Sequence, residues 1–429
     1  MEGKMGNCDH RVRVLVAHPN QQHAMRLAEA LNKAGILEKY ATTIYIKEKS
    51  ICGSILKKVN VPFVKRLLVT CNQNISDHVI TRAQFYGFCF YLVSKLDKNK
   101  RICYGIYDIM TRRFGKQIAR YIDKETPDIL VMFDFTAVPC WERLENRNVI
   151  KVLDMSSVPA VQILKIIDEE QCKGRKEDYQ LLGRRYTEKR CRYYNREIEM
   201  ADYFLVASEY AERVIMNMGI SKSRIYKVPY GLDAGHFKRY GKNVVIDGKV
   251  IFIFVGRLEG TKGFYYMMEA IKKVWKVRQD FELVLVGDAC GNEKHLNEYR
   301  PGIQFEGRRS REDLIQLYNQ SNVYILPSLW EGFSFSLLEA MSCGLPVIAT
   351  DRSAALDIVQ DGEEGFVVQA GDSNQIADKI VWFLDHKEEI SSMGEKASLA
   401  TKKYSWENYS RGVVTAMFDI YEKGREGND

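Results

Sequence analysis

Short apolar runs of strand length alternate with helix-like stretches along the chain, and this alternation is set up twice. Runs at 12–17, 43–46, 129–133, 149–153, 203–207 and 225–228 form the first series, and runs at 250–255, 282–286, 303–305, 323–326, 347–349 and 366–368 form the second. Strands separated by helices require crossover connections, so each series predicts a parallel sheet, and the chain predicts an α/β protein of two Rossmann-like, doubly wound domains facing across a cleft. A length of 429 residues with 46% hydrophobic content is too much for one ordinary core and suits that division. The expected boundaries are 1–235 for an N-terminal domain and 236–404 for a C-terminal one, with 405–429 as a closing helical segment. Gly231, Gly235 and Gly241 make the stretch 231–245 a candidate hinge.

Charge divides the two halves. Residues 1–240 hold 41 basic and 27 acidic side chains, whereas residues 241–429 hold 22 and 29. The excess concentrates in residues 51–122, with 13 basic side chains against Asp77, Asp97 and Asp108, interleaved with aromatic and aliphatic residues in "ILKKVNVPFVKRLL" and "FYGFCFYLVSKLDKNKR". A solvated helical face explains the charges alone. A surface resting on anionic lipid explains the aromatics as well, because rings favour the headgroup zone. Nucleic acid is not expected as a partner, since no zinc-finger, ribonucleoprotein or helix-turn-helix pattern accompanies the charge. The polar segment 1–10 runs directly into a strand, and the longest apolar run, 85–93, is far too short to span a bilayer, so the expectation is a cytoplasmic protein, peripheral on the inner face of a membrane. The ten cysteines are scattered without a Cys-x-x-Cys pair and read as reduced thiols.

The chemistry concentrates in the second half. In "LPSLWEGFSFSLLEAMSCGLPVIAT" the carboxylates Glu331 and Glu339 flank a strand-to-helix turn built from small and hydroxyl residues. A helix starting near 333–335 aims free backbone N–H groups at the carboxyl end of the preceding strand, an arrangement that favours phosphate. Glu331 then lies just before the helix and Glu339 in its second turn, on the order of 10 Å away. That interval predicts a clamp in which Glu331 accepts from the hydroxyls of a sugar, the helix start holds a diphosphate, and Glu339 holds a ribose diol. A capping acid followed by an exposed helical acid fits the same interval. A second motif, "VGRLEGTKGF", follows the first strand of the second series and adds Arg257 and Lys262, cations suited to a leaving diphosphate, with Gly256, Gly260 and Gly263 allowing close backbone approach.

The pair "GRLEGTKG" and, about 70 residues on, "LPSLWEGFSFSLLEAMSCGLPVIAT" resembles the retaining, nucleotide-sugar-dependent glycosyltransferases of the GT-B fold, family four of the sugar-enzyme classification. "NVYILPS", "DGEEGFVV" and "YSWENYSRGVVTAMFDIYEK" extend the likeness through the second half, and "ADYFLVASEYAERVIMNMG" and "VPYGLDAGHF" carry it weakly into the first. The resemblance implies that Arg257 and Lys262 bind the diphosphate and that Glu331 contacts the donor sugar. By the same likeness Glu339 binds the ribose, and Gly332, Phe333, Ser334, Phe335 and Ser336 form the loop whose amides meet sugar and phosphate. It further implies that Arg308, with Arg309 beside it, stands where the backbone holds the base, and that the helix from Trp406 crosses back over the first domain. No metal or other cofactor is implied; the nucleoside-diphosphate sugar is the donor substrate. Transfer with retained configuration to a glycan or lipid-linked acceptor follows, with a catalytically idle, donor-binding partner subunit as the alternative.

Departures from the family pattern fall mainly in the first half. The first loop, "AHPNQQHAM", has no glycine, so His18 and His23 read as loop residues. Asp134 and Asp154 stand in loops where the family often has histidine, and they read either as sugar contacts or as caps. In "DRSAALDIV", Ser353, Ala354 and Ala355 occupy positions where glycines are common in the family.

Overall fold

The computed structural model describes residues 11–20, 23–45, 73–97, 101–145, 147–174, 179–233, 235–290, 292, 296 and 302–426. Of the basic region expected to meet lipid, the segment 55–68 lies outside the described residues. The first sheet comprises β1 (Val14–Ala17), β2 (Leu37–Thr42), β3 (Val79–Thr81), β4 (Ile129–Phe133), β5 (Ile150–Met155), β6 (Tyr203–Val206) and β7 (Ile225–Lys227), in the order β3-β2-β1-β4-β5-β6-β7. The second comprises β8 (Val250–Val255), β9 (Phe281–Val286), β10 (Ile303–Gly307), β11 (Val323–Leu326), β12 (Val347–Thr350) and β13 (Gly365–Val368), in the order β10-β9-β8-β11-β12-β13. The central pairings are parallel in both sheets.

The strand sequences account for this arrangement. β1, β4 and β11 are buried at every position, as continuous apolar runs must be in the middle of a sheet covered on both faces. In each sheet the strand order reverses beside the first strand of its series, between β1 and β4 and between β8 and β11. Such switch points open a crevice at the carboxyl ends of the strands, where ligands of open α/β sheets bind. The helix Phe264–Trp275 after β8 buries Phe264, Met267, Met268, Ile271 and Val274 on one face, the three-to-four spacing of a helix laid on a sheet.

One expected strand is displaced. In place of the strand expected at 43–46, the strand is Leu37–Thr42, whose register on β1 pairs Val14 with Leu37 and Ala17 with Ala41. Sheet pairing overrides local preference here. Thr43 instead turns its hydroxyl onto the carbonyl of Pro19 at 2.5 Å. The edge strand Val79–Thr81 is too short to leave an alternating pattern.

The chain divides into two compact units. The first contains Met1–Asp154, Thr187–Leu205 and Ser410–Asp429, and the second contains Met155–Tyr186 and Val206–Tyr409. Within the first, the C-terminal part of the helix Trp406–Glu426 presses so closely that a Cβ on Gly424 would stand 2.3 Å from the Ile150 side chain. The helix Gln84–Leu96 in the same unit leaves Phe85, Phe88, Leu92 and Leu96 exposed at helical spacing. No described helix is long and apolar enough to cross a membrane. The described cysteines are free thiols, with Cys103, Cys140, Cys191 and Cys343 buried and Cys172 and Cys290 exposed.

Candidate functional site

The two motifs of the second half meet at the second sheet's switch point. β8 ends at Val255, and a 3-10 turn, Gly260–Lys262, leads through Gly263 into the next helix. Gly263 has φ +67°, and a Cβ there would stand 1.7 Å from the carbonyl oxygen of Pro327, so this turn fits against the β11 loop only with glycine. The contact continues with the Leu329 N–H donating to Thr261 O at 3.0 Å. Gly332 is equally constrained, since a Cβ would lie 1.9 Å from Ser156 O. These junctions bring two segments more than 60 residues apart into one surface.

On that surface Lys262 Nζ lies 2.5 Å from Glu331 Oε1, and Ser328 Oγ donates to the same oxygen at 2.7 Å. The Glu331 side chain is only 10% exposed, so the ammonium and the hydroxyl compensate a carboxylate largely withdrawn from water. The Glu331 N–H donates to Arg352 O at 2.9 Å, which fixes the backbone beside β12.

The helix Phe335–Ser342 begins as the sequence predicts, with Glu331 before it and Glu339 in its second turn. Its N-cap, Ser334, makes no side-chain cap bond. The hydroxyl of Ser334 instead pairs with that of Ser336 at 3.1 Å, and Tyr324 OH donates to Ser336 Oγ at 2.7 Å. Phe333 and Phe335 are committed to an aromatic cluster with Tyr230, Phe335 stacking on it at 5.7 Å. With the side chains so engaged, Ser334 leaves the first-turn N–H groups without a side-chain cap.

Glu339 accepts from Tyr318 OH at 3.4 Å, and burial raises its pKa above the ordinary carboxylate value. The other expected residues have local partners. Arg257 pairs with Glu259 at 2.7 Å, Arg308 with Asp288 at 2.5 Å, and Arg309 with Glu306. Gly256 receives the close approach of Gly287, whose Cβ would lie 1.8 Å from Gly256 O. Lys262 and Glu331 are therefore joined directly, while Arg257, Arg308 and Glu339 reach neither of them in a described ion pair.

The first unit carries a separate polar cluster at its own switch point. His23 Nε2 lies 2.9 Å from Asp154 Oδ1, both side chains buried. His18 and His23 pack edge-on against Phe133, with centroids 4.8 and 5.1 Å away. Burial depresses the His18 pKa to about 4, so the ring is neutral near pH 7, and its Nδ1 lies against the backbone of Asn20. Asp134, also buried, hydrogen-bonds through its N–H to Asp154 O at 3.1 Å. Beside it Glu197 accepts the N–H groups of Ala137 and Phe135 at 2.6 and 2.7 Å, and burial raises its pKa to about 8. Reading the histidines as loop residues missed this pairing. Two histidines in one loop after a buried strand were the available signal. Among the described residues no group of three or more histidine, cysteine or acidic side chains is placed to hold a metal ion.

Residues 238–399 match the family model described as "Glycosyl transferases group 1". The matched stretch lies within the second unit. An uncharacterized glycosyltransferase of Methanocaldococcus jannaschii is 30% identical over 165 residues, covering 38% of this chain and 46% of that protein. A phosphatidyl-myo-inositol mannosyltransferase of Mycobacterium leprae is 32% identical over 184 residues, covering 41% and 46%. The chain spans about half the length of the curated relatives it matches. Among solved structures, sucrose-phosphate synthase from Thermosynechococcus elongatus superposes with a TM-score of 0.63 at 18% identity over 96% of this chain and 100% of that one. The Anabaena HepE protein in complex with UDP-glucose gives 0.61 at 13% identity over 95% and 99%. The structural likenesses establish the GT-B fold, and the stretch matched by the family model contains the Lys262–Glu331 junction.

Proposed function

We propose that this protein is a retaining, metal-independent glycosyltransferase of hexosyl type. It moves a sugar from a UDP- or GDP-type donor to a glycan or lipid-linked acceptor in cell-envelope or polysaccharide synthesis. The observation that carries the proposal is the Lys262–Glu331 pair at 2.5 Å beside an uncapped helix start. Each charge compensates the other. An arriving diphosphate takes over Lys262, and the released Glu331 accepts hydroxyls of the donor sugar. Arg257 and the first-turn amides add positive potential where the leaving diphosphate gains charge, and Glu339 holds the ribose. Arg308 lies beside the base. The acceptor attacks on the face from which the diphosphate departs, the departing phosphate takes its proton, and no protein nucleophile is needed.

One structural neighbour is described in complex with UDP-glucose, and one relative is named a mannosyltransferase. Association with the inner face of an anionic membrane is part of the proposal, supported by the exposed Phe85, Phe88, Leu92 and Leu96 and by the basic composition of residues 51–122. Asp134 and Asp154 are proposed as first-domain contacts to the sugar, Asp154 acting through His23. The test is transfer or slow hydrolysis of labelled nucleotide sugars by the pure protein. Turnover abolished in Glu331→Ala supports the reading, and absence of any turnover in the wild type favours the idle, donor-binding subunit.

A further inference from the structure

The first unit holds a cavity lined by the helices Arg101–Ile122, Val138–Trp141 and Glu188–Met200 and by Phe135. Its volume is about 370 Å³, within the range of small-molecule sites. The floor is already compensated, since Arg190 Nη2 lies 2.6 Å from Asp108 Oδ1 and Tyr194 OH donates to that oxygen at 3.4 Å. The rim is not. Arg112 and Lys189 are exposed, line the cavity, and make no ion pair with a described residue. The lining therefore carries three cations and one carboxylate.

The helix itself sharpens this imbalance. Lys189 and Arg190 follow the N-cap Thr187, whose side chain accepts from Arg190 N, so they occupy the first turn of Glu188–Met200. That is the positive end of the helix dipole, where anions are favoured and cations are not. The walls are aromatic and fixed. Phe135 meets Tyr194 edge-on at 5.1 Å, and Tyr193 meets Tyr194 at 5.8 Å. Phe135 is held at φ +67°, a costly conformation for a residue with a side chain, by its N–H bond to buried Glu197. Phe135, held in this way, has little ordering entropy to lose on binding.

Unspent positive charge on one side and rigid ring faces on the other suit a ligand with a dianionic group and an apolar C–H face. A phosphomonoester carries about 1.5 to 2 negative charges near neutral pH and matches the two free cations. We propose that this cavity binds a phosphorylated sugar or polyol, free in solution or as a lipid headgroup, with the phosphate between Arg112 and Lys189 and the ring against Phe135, Tyr193 and Tyr194. The proposal does not depend on the transferase reading, because the site shares no residue with the donor motifs.

Calorimetric titration of the full chain with glucose 6-phosphate, with glucose as the neutral control, tests the free ligand. Flotation with phosphatidylcholine vesicles, plain or doped with phosphatidylinositol 4-phosphate, tests the headgroup. The variant carrying both Arg112→Gln and Lys189→Gln changes exposed side chains only, and its unchanged melting temperature verifies folding. Each removed charge is expected to weaken binding about ten-fold, the pair about a hundred-fold, while the response to UDP or GDP stays as in the wild type. Binding of either phosphorylated probe that disappears in the variant supports the site and names the source. Binding that survives in the variant, equal binding of glucose, or no binding of either phosphorylated probe overturns it.

Discussion

The two switch points of this protein are built by opposite means. In the second unit, backbones are brought into contact at Gly263 and Gly332, where any Cβ would collide with a carbonyl oxygen, and the side chains added to that junction are a lysine and a glutamate joined at 2.5 Å. In the first unit the equivalent crevice is filled by side chains, with His18 and His23 standing on Phe133 and Asp154 locked to His23. The contrast teaches that one crevice is shaped by backbone contacts and a single ion pair, while the other is shaped by buried hydrogen-bonding side chains.

The sharpest way to break the contrast is Glu331→Ala. Turnover of the labelled donor should fall about a hundred- to a thousand-fold, the scale for removing one group that stabilises developing charge. Near-normal transfer removes Glu331 from the site. Gly263→Ala comes next, with an expected loss of about 3 kcal/mol or more in urea unfolding, because a Cβ would lie 1.7 Å from Pro327 O at φ +67°. Gly241→Ala serves as its control. That glycine has φ +109° but nothing within 4 Å, so backbone strain of about 1 kcal/mol is the whole effect expected.

The first-unit crevice is sharpened by pH. The folded His18 pKa of about 4 lies below its ordinary 6.5, so between these values the unfolded chain binds a proton that the folded one refuses. Stability from this group is complete above pH 6.5 and is lost as pH falls toward 4, by about 3 kcal/mol at most. Glu197 works in the opposite sense. Its folded pKa of about 8 exceeds the ordinary 4.5, so its contribution is present below 4.5 and is lost as pH rises through 8. Subtracting the unfolding curve of His18→Gln from that of the wild type isolates the acid limb, and a flat difference between pH 4 and 6.5 contradicts the buried neutral ring. The smallest effect belongs to Arg308→Ala. Its exposed pair with Asp288 contributes less than about 1 kcal/mol to stability, so any substantial loss in that variant should appear only in nucleotide affinity.

Legibility followed the same division. The fold was readable because buried parallel strands are unbroken apolar runs, and β4, β8 and β11 have the bounds expected from sequence. Glu331, Lys262 and the helix start at Phe335 could be read because glycine and charge at fixed spacing carry local information. The His23–Asp154 bond was harder to read, because its partners are 131 residues apart and the two histidines of the first loop mark only one side of it. β2 was misplaced for a related reason, its position being set by register on β1 rather than by its own composition.

The central claim is that Lys262 releases Glu331 to hold a diphosphate. Calorimetric titration of UDP and GDP, each beside its nucleoside, into the wild type and Lys262→Ala tests it most directly. The account predicts that the better diphosphate binds the wild type and weakens about ten-fold or more in the variant, with the nucleoside unaffected. Equal affinity of the diphosphate for both proteins would contradict it.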